Sequence, residues 1–149
     1  MKEKMNSCTD QAERFLALRD HNENELRTKL REKKFSEAEI NETVASLKEN
    51  NELSEARFVE SFIRSNNRRH PEGKALVLQR LSAKGTDRSI SMEIVNNIYT
   101  LEYTLEQIKN AEKKIEKKYG KIDQVLLRAK LSKLGFSSSE INRSFSEQD

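Results

Sequence analysis

The amino-acid sequence predicts an all-α protein of three tandem three-helix repeats in an elongated, curved array. The first observation is periodicity: the equivalent leucines Leu30, Leu81 and Leu131 follow one another at steps of 51 and 50 residues. Such self-similarity is typical of one supersecondary unit that stacks on copies of itself. The second is composition. One proline and four glycines in 149 residues favour helix, and 34% hydrophobic against 36% charged residues favours thin cores with much exposed surface.

The pattern around these leucines extends to neighbouring positions. Leu26, Leu30, Lys34 and Phe35 correspond to Val77, Leu81, Gly85 and Thr86, and then to Leu127, Leu131, Gly135 and Phe136. We therefore predict repeats over residues 1–52, 53–100 and 101–149.

In the first repeat, an amphipathic helix is predicted between Ser7 and Arg19, since the apolar positions recur at helical spacing. A second helix begins near Asn22, which has Glu25 three residues on in a capping arrangement, and ends at about Lys33. The third begins at Ser36. There Ser36 and Glu39 form a capping box, and Phe35 and Ile40 can close over it as a hydrophobic staple.

In the second repeat, the first helix begins near Ser54 and has the strongest apolar face in the chain. Residues 65–74, SNNRRHPEGK, contain the only proline and are predicted to form a loop. The next helix ends at Gly85 in a left-handed conformation, and a third is capped by Asp87 or Ser89.

In the third repeat, a longer helix is predicted from about Leu101 to Tyr119, with Gly120 ending it. A second helix closes at Gly135. The last helix repeats the device of the first repeat, because Phe136, Ser137, Glu140 and Ile141 fall 101 residues after Phe35, Ser36, Glu39 and Ile40.

No catalytic or metal-binding constellation is visible. His21 and His70 are the only histidines, and neither has the cysteine or carboxylate spacing of a metal site. Cys8 is the single cysteine, lies near a terminus expected to fray, and has no activating partner in the pattern. We expect no enzymatic activity and no cofactor. No stretch approaches the roughly 18 apolar residues of a membrane span, so we expect a cytoplasmic protein.

Positive charge is concentrated in the second repeat. Between Arg57 and Arg88, eight basic residues oppose three acids, whereas the first 50 residues hold 10 basic and 11 acidic ones. The predicted binding residues for a partner or DNA are Arg57, Arg64, Arg68, Arg69, Lys74, Arg80, Lys84 and Arg88. Arginine suits phosphate and carboxylate contacts. The alternative is an ordinary solvated surface.

A second basic cluster lies on the first helix of the third repeat and directly after it. It contains Lys109, Lys113, Lys114, Lys117, Lys118 and Lys121. Because Glu106, Glu112 and Glu116 alternate with these lysines, we interpret this cluster as a solvated face. The alternative is that it adds to binding.

Short motifs in this order resemble the RecX family of recombination regulators. The first repeat contributes Arg19, followed by Glu25, Leu26 and Leu30. The middle repeat contributes Glu55, Arg57, Phe58, Phe62, Arg64, Gly73, Leu81, Lys84 and Gly85. The resemblance extends from about Phe15 to Phe145.

This resemblance implies a monomeric, non-enzymatic protein of DNA recombination, DNA repair and the SOS response. Such a protein binds the RecA recombinase, lodges in the groove of its filament on single-stranded DNA, and restrains filament growth, ATP hydrolysis and strand exchange. Two alternatives remain from the residues themselves. One is a stand-alone helical DNA-binding module, which would bind DNA strongly without a recombinase, and the other is a structural adaptor, which would bind neither.

Overall fold

A computed structural model describes residues 7–147 of the chain. Over this range the protein forms nine helices and no strand, which confirms the all-α fold class. The helices are α1 (Cys8–Leu18), α2 (Glu23–Glu32), α3 (Glu37–Glu49), α4 (Glu55–Arg69), α5 (Lys74–Ala83), α6 (Arg88–Ile98), α7 (Leu101–Tyr119), α8 (Gln124–Lys133) and α9 (Ser138–Ser146).

The helices pack in threes, because each consecutive trio buries its own apolar cluster. The first core, under α1 to α3, is centred on Leu26, Leu30, Ile40, Val44 and Leu47. The second, under α4 to α6, is centred on Phe58, Val59, Ile63, Val77, Leu81 and Val95. The third, under α7 to α9, is centred on Ile108, Ala111, Leu131, Phe136 and Ile141. We call these trios units 1, 2 and 3; the residue boundaries predicted for the repeats stay a prediction.

The predicted helix caps are present. Asn22 with Glu25, Ser36 with Glu39 and Ser137 with Glu140 each form a reciprocal capping box. Such a box satisfies two backbone N–H groups that the first turn of a helix leaves without partners. Arg19 also holds Glu25, with its two terminal nitrogens 3.1 Å from the two carboxylate oxygens. The arginine and glutamate of the first-repeat motif thus fix the start of α2.

Equivalent residues end α2, α5 and α8 in the same way. Lys34, Gly85 and Gly135, aligned by the repeat pattern, have φ angles of 72°, 78° and 97°. This left-handed conformation closes a helix, and glycine adopts it without the cost a side chain brings. The predicted left-handed end at Gly85 is confirmed, and Lys34 adopts the conformation despite its side chain.

The loop predicted over residues 65–74 is wrong for its first half, because α4 continues to Arg69. The buried amide of Asn67 donates to the hydroxyl groups of Tyr99 and Tyr103, at 2.8 Å each. Its carbonyl oxygen accepts the backbone N–H of Glu72 at 3.2 Å. These tertiary hydrogen bonds hold asparagine in a helix that its local preference would end.

The terminus that the sequence analysis expects to fray near Cys8 lies outside the described residues, which begin at residue 7. Cys8 is the first residue of α1 and is 5% exposed in the core of unit 1. The Ser7 side chain caps this helix by accepting the backbone N–H of Asp10. Among the described helices, none is both long enough and apolar enough to cross a lipid bilayer.

The middle helices of the three units meet end to end. The backbone N–H of Gly73, before α5, donates to the carbonyl of Leu134, after α8, at 2.8 Å. At the other end of α5, the side-chain amides of Asn22 and Asn24 donate to the carbonyl of Lys84 at 3.2 and 3.3 Å. The negative end of one helix dipole therefore faces the positive end of the next at both junctions, which is a favourable arrangement.

Candidate functional site

The eight basic residues predicted as the site all lie in unit 2, but on different helices. Helix α4 carries Arg57, Arg64, Arg68 and Arg69. Helix α5 carries Lys74 and Arg80, with Lys84 immediately after its end, and Arg88 begins α6. The structure divides them into residues engaged in contacts within the protein and residues that face solvent.

Arg80 belongs to the first group. Its Nε and Nη2 atoms donate to the two carboxylate oxygens of Glu72 at 2.7 and 2.6 Å. The Glu72 side chain is 2% exposed and accepts a further hydrogen bond from Asn66 at 2.7 Å. The Glu72 hydrogen bond raises the pKa of Arg80 above its ordinary value. Arg80 neutralises a buried carboxylate, so its Nε and Nη2 donors are committed inside the molecule.

Arg57 and Lys84 also have partners within the chain. The Arg57 guanidinium donates to the backbone carbonyls of Asn51 and Glu52, at 2.9 and 3.1 Å, behind the end of α3. The Lys84 ammonium lies 5.5 Å from the centre of the Phe62 ring, within the range of a cation–π contact. The Arg57 contacts therefore join α4 to the segment after α3, whereas the Lys84 contact lies within unit 2.

The remaining arginines of α4 form an exposed surface. Arg64, Arg68 and Arg69 are exposed, and Arg64 and Arg68 lie one helical turn apart on the same face. In the part of the chain that the structure describes, no carboxylate forms an ion pair with any of the three. We call these residues the α4 arginine surface.

Arg88 lies apart from the α4 arginine surface, in a groove between units 2 and 3. The groove has a volume of about 730 Å³ and is lined by α5, α6 and the end of α8. Arg88 and Lys133 are the basic residues that line it. A residue of unit 3 therefore adds to the basic surface predicted for unit 2 alone.

Four lysines converge in a neighbouring hollow of about 290 Å³; two of them belong to the second basic cluster identified from the sequence, and the other two were not part of that prediction. Lys114 and Lys118 of α7 line it together with Lys130 and Lys133 of α8. Glu112 and Glu116, which alternate with the lysines along α7, line a different hollow. The spacing of four residues between Lys114 and Lys118 could have placed both on one face, but only the packing of α7 against α8 shows that four lysines converge. We call this hollow the lysine cleft.

Several motif residues of the middle repeat lie at the junctions between units. The Glu55 carboxylate accepts the backbone N–H of Glu23 at 3.0 Å and that of Asp87 at 2.8 Å. It therefore joins the start of α2 in unit 1 to the start of α6 in unit 2. Gly85 lies against Asn24 of unit 1, and Gly73 lies against Gly135 of unit 3. These motif positions determine how the units meet.

The sequence of this chain is similar to a known protein family and to several curated proteins. Residues 8–47 match the family model described as RecX, first three-helix domain. The regulatory protein RecX of Chlorobium phaeobacteroides (strain BS1) is 36% identical over 88 residues, covering 59% of this chain and 58% of that protein. The regulatory protein RecX of Clostridium perfringens (strain 13 / Type A) is 33% identical over 132 residues, covering 85% and 61%. The chain thus spans about three fifths of the length of these relatives.

Two solved structures share the fold. The crystal structure of RecX from Lactobacillus salivarius superposes with a TM-score of 0.82 at 22% identity, covering 94% of this chain and 93% of that one. A crystal structure of a regulatory protein RecX superposes with a TM-score of 0.76 at 20% identity, covering 93% and 73%. At 22% and 20% identity, the similarity shows that the fold is shared. It does not show that the surface charges are arranged in the same way.

Proposed function

We propose, because this chain belongs to the RecX family of regulatory proteins, that it binds the filament of the RecA recombinase on single-stranded DNA and restrains it. The protein acts in the cytoplasm as a monomer, without a cofactor, and its effect comes from binding and not from catalysis. It occupies the filament groove and thereby slows filament growth, ATP hydrolysis and strand exchange.

The observation that carries this proposal is the α4 arginine surface. Arg64, Arg68 and Arg69 are exposed, and no described carboxylate neutralises them. Arginine keeps its charge at all physiological pH values and presents a planar fork of donors that fits phosphate and carboxylate oxygens. An unneutralised group of arginines supports binding to an anionic partner, and a nucleoprotein filament offers both kinds of oxygen.

The division of the basic residues refines which side chains make that contact. Arg57, Arg80 and Lys84 have partners within the protein, so we assign them to the framework. Arg64, Arg68, Arg69 and Lys74 are assigned to contact with the partner. Lys74 is half-buried at the first position of α5, next to the junction with unit 3.

The experiment measures inhibition of the DNA-dependent ATPase of RecA by purified protein at substoichiometric concentration. Charge reversal at Arg68, Arg69 and Lys74 together is expected to weaken inhibition about tenfold, since exposed charges contribute roughly 0.5 kcal/mol each. The fold should be retained, because none of the three side chains makes a hydrogen bond or an ion pair within the described residues.

The matched control reverses Lys109, Lys113 and Lys117, three exposed lysines on one face of α7 that lie outside the lysine cleft. It changes the net charge by the same amount and should inhibit like the unaltered protein. Equal inhibition by both folded variants would remove the α4 arginine surface from the mechanism. Failure of the unaltered protein to inhibit, combined with tight salt-sensitive binding to bare DNA, would favour the stand-alone DNA-binding module instead.

A further inference from the structure

We infer that the lysine cleft between units 2 and 3 is a subsite for one nucleotide of single-stranded DNA, with phosphates on its lysine rim and the base on its apolar floor. The choice of single-stranded DNA as the ligand rests on the proposed function. The inference assigns a direct DNA contact to unit 3, and that contact can be measured without any recombinase.

The rim of the cleft is positively charged on two sides. Lys114 and Lys118 stand on α7, and Lys130 and Lys133 stand on α8. None of the described residues that line this hollow is acidic. Four ammonium groups around a hollow of about 290 Å³ create a local positive potential that an anion relieves.

The floor of the cleft is apolar. It consists of Pro71 from the loop before α5, Ala111 and Ile115 from α7, and Leu134 from the end of α8. A polyanion that lacked apolar groups would leave this floor covered by water. A nucleotide matches both parts, because its base has a flat apolar face and its phosphates are charged.

Tyr119 stands at the edge of the cleft and is half-exposed. The Lys130 ammonium lies 3.9 Å from the centre of its ring, and that of Lys118 lies 5.3 Å from it. A hydrogen bond from Lys118, followed by the charges of Lys118 and Lys130, lowers the pKa of the Tyr119 hydroxyl, which is a second sign of positive potential at this edge. These contacts also order two lysine side chains before any ligand arrives.

The basic surface continues beyond the cleft in both directions. The Lys114 ammonium donates to the backbone carbonyl of Arg69 at 2.7 Å, so the α7 lysines lie beside the last turn of α4 and its arginines. In the other direction, Lys133 lines both the lysine cleft and the groove that contains Arg88. Single-stranded DNA, with a charge on every nucleotide, matches a linear series of cations. A short acidic peptide segment could bind to the four lysines of the cleft alone, without using the cations on either side of it.

The test measures binding of a fluorescent oligothymidylate of roughly 15 nucleotides to the full chain, by anisotropy, between about 0.05 and 0.2 M salt. Lys114→Gln with Lys118→Gln removes two phosphate contacts. The slope of log affinity against log salt should become shallower by about 1.4, and affinity at about 0.1 M salt should fall about 25-fold. Lys130→Gln with Lys133→Gln should give a similar loss from the other helix.

The matched control is Lys113→Gln with Lys117→Gln, one position earlier on α7. It makes the same change in net charge with lysines that do not line the cleft, and it should retain the affinity and slope of the unaltered chain. Circular dichroism and thermal unfolding verify that all variants are folded. If the cleft pairs and the control pair lose affinity equally, DNA binding depends on overall charge and the cleft assignment is overturned.

Two ligand comparisons test the chemistry of the occupant. An oligonucleotide with the same phosphates and abasic sugars should bind more weakly than oligothymidylate, and equal binding would overturn the contact between base and floor. Polyglutamate of the same charge should compete poorly. If polyglutamate binds through the four lysines and oligothymidylate does not, the occupant is an acidic protein segment and the inference is wrong. Because no recombinase is present, these outcomes are independent of the ATPase result.

Discussion

The backbones of Gly73 and Gly135 are in direct contact across the junction between units 2 and 3. A Cβ atom on Gly73 would lie 2.4 Å from both the carbonyl carbon and the carbonyl oxygen of Gly135. A Cβ atom on Gly135 would in turn lie 2.6 Å from the Cβ atom and the backbone nitrogen of Leu76. Two glycines of different units thus let α5 and α8 meet end to end, with no space for a side chain.

Gly73→Ala should destabilise the junction for steric reasons alone, because Gly73 has an ordinary φ of −84°. We expect a loss of about 1–3 kcal/mol in the free energy of unfolding, as is typical when a methyl group is forced into packed atoms. Chemical denaturation monitored by circular dichroism measures it. The control is Gly120→Ala, where φ is 77° and no atom lies within 4 Å of the added group. Its backbone, with φ 77° and ψ −160°, lies in a region that is essentially restricted to glycine, so this variant should show a backbone cost of about 1–3 kcal/mol without any clash with packed atoms. If Gly73→Ala is neutral, the close backbone contact is not required.

Lys34→Gly should stabilise unit 1. Lys34 is an exposed residue with a φ of 72°, at the position that glycine occupies in units 2 and 3. Glycine removes the left-handed strain, which stabilises the folded chain, but it also increases the entropy of the unfolded chain, which opposes that gain. The net increase in the free energy of unfolding should be about 0.5 kcal/mol. Thermal unfolding measures it. Lys33→Gly, one residue earlier at an ordinary φ of −85°, is the control and should be destabilising instead. A loss of stability in both variants would contradict the strain at Lys34.

Arg80→Ala should lower stability although Arg80 belongs to the predicted binding set. The change leaves the Glu72 carboxylate buried with only Asn66 as a side-chain donor. We expect a loss of about 2 kcal/mol, less than for a fully buried pair because the Arg80 side chain is 45% exposed. Arg68→Ala, which removes an exposed arginine without a partner, should stay within about 0.5 kcal/mol of the unaltered protein.

Glu72→Gln combined with Arg80→Ala tests the same ion pair from the other side. The neutral amide costs less to bury without a cation than the carboxylate does, so the double variant should be more stable than Arg80→Ala alone. If the second change adds further destabilisation, the carboxylate charge is not what Arg80 compensates.

His21 should make unit 1 less stable at mildly acidic pH. The ring is 2% exposed; its Nδ1 lies 3.0 Å from the Arg19 carbonyl, and the Lys29 ammonium donates to Nε2 at 2.9 Å. Burial is the main cause that lowers the pKa of His21 below the ordinary 6.5, and the charges of Arg19 and Lys29 act in the same direction. The unfolded chain therefore takes up a proton near pH 6.5 while the folded chain does not. Stability is present above this pH and is lost as pH falls toward the lower folded pKa.

Urea denaturation at a series of pH values between about 5 and 8 measures this effect. His21→Gln removes the titrating group, so the pH dependence in this window should become weaker. His70→Gln removes the other histidine, which is exposed, and should keep the pH dependence of the unaltered protein. Identical pH profiles for both variants would show that His21 is not the responsible group.

The repeat pattern was sufficient to predict the helices and their caps. The capping boxes at Asn22, Ser36 and Ser137 were visible in the sequence because they depend on residues three positions apart. The left-handed end at Gly85 was visible for the same local reason. The continuation of α4 to Arg69 was not, because the hydrogen bonds that hold Asn67 in the helix come from Tyr99 and Tyr103, more than 30 residues away.

The candidate site was predictable in composition and not in geometry. The sequence shows where the arginines of unit 2 are, but it does not distinguish Arg80 from Arg68 as candidate binding residues. The structure distinguishes them, since Arg80 neutralises a buried glutamate and Arg68 faces solvent. The alternating charges of α7 appeared balanced along the chain, but the helix turns Lys114 and Glu112 toward different hollows. Charge balance along a sequence therefore says little about the balance on any one face.

Apolar spacing and short-range hydrogen bonds were enough to predict the fold class, the threefold repetition and the helix caps from the sequence. The packing of the units was needed to show which basic residues have partners within the protein, how Gly73 meets Gly135, and that four lysines from α7 and α8 converge. The physical reason is that burial, ion pairing and backbone contact depend on distances between residues far apart in the chain. Those distances are determined where the units meet.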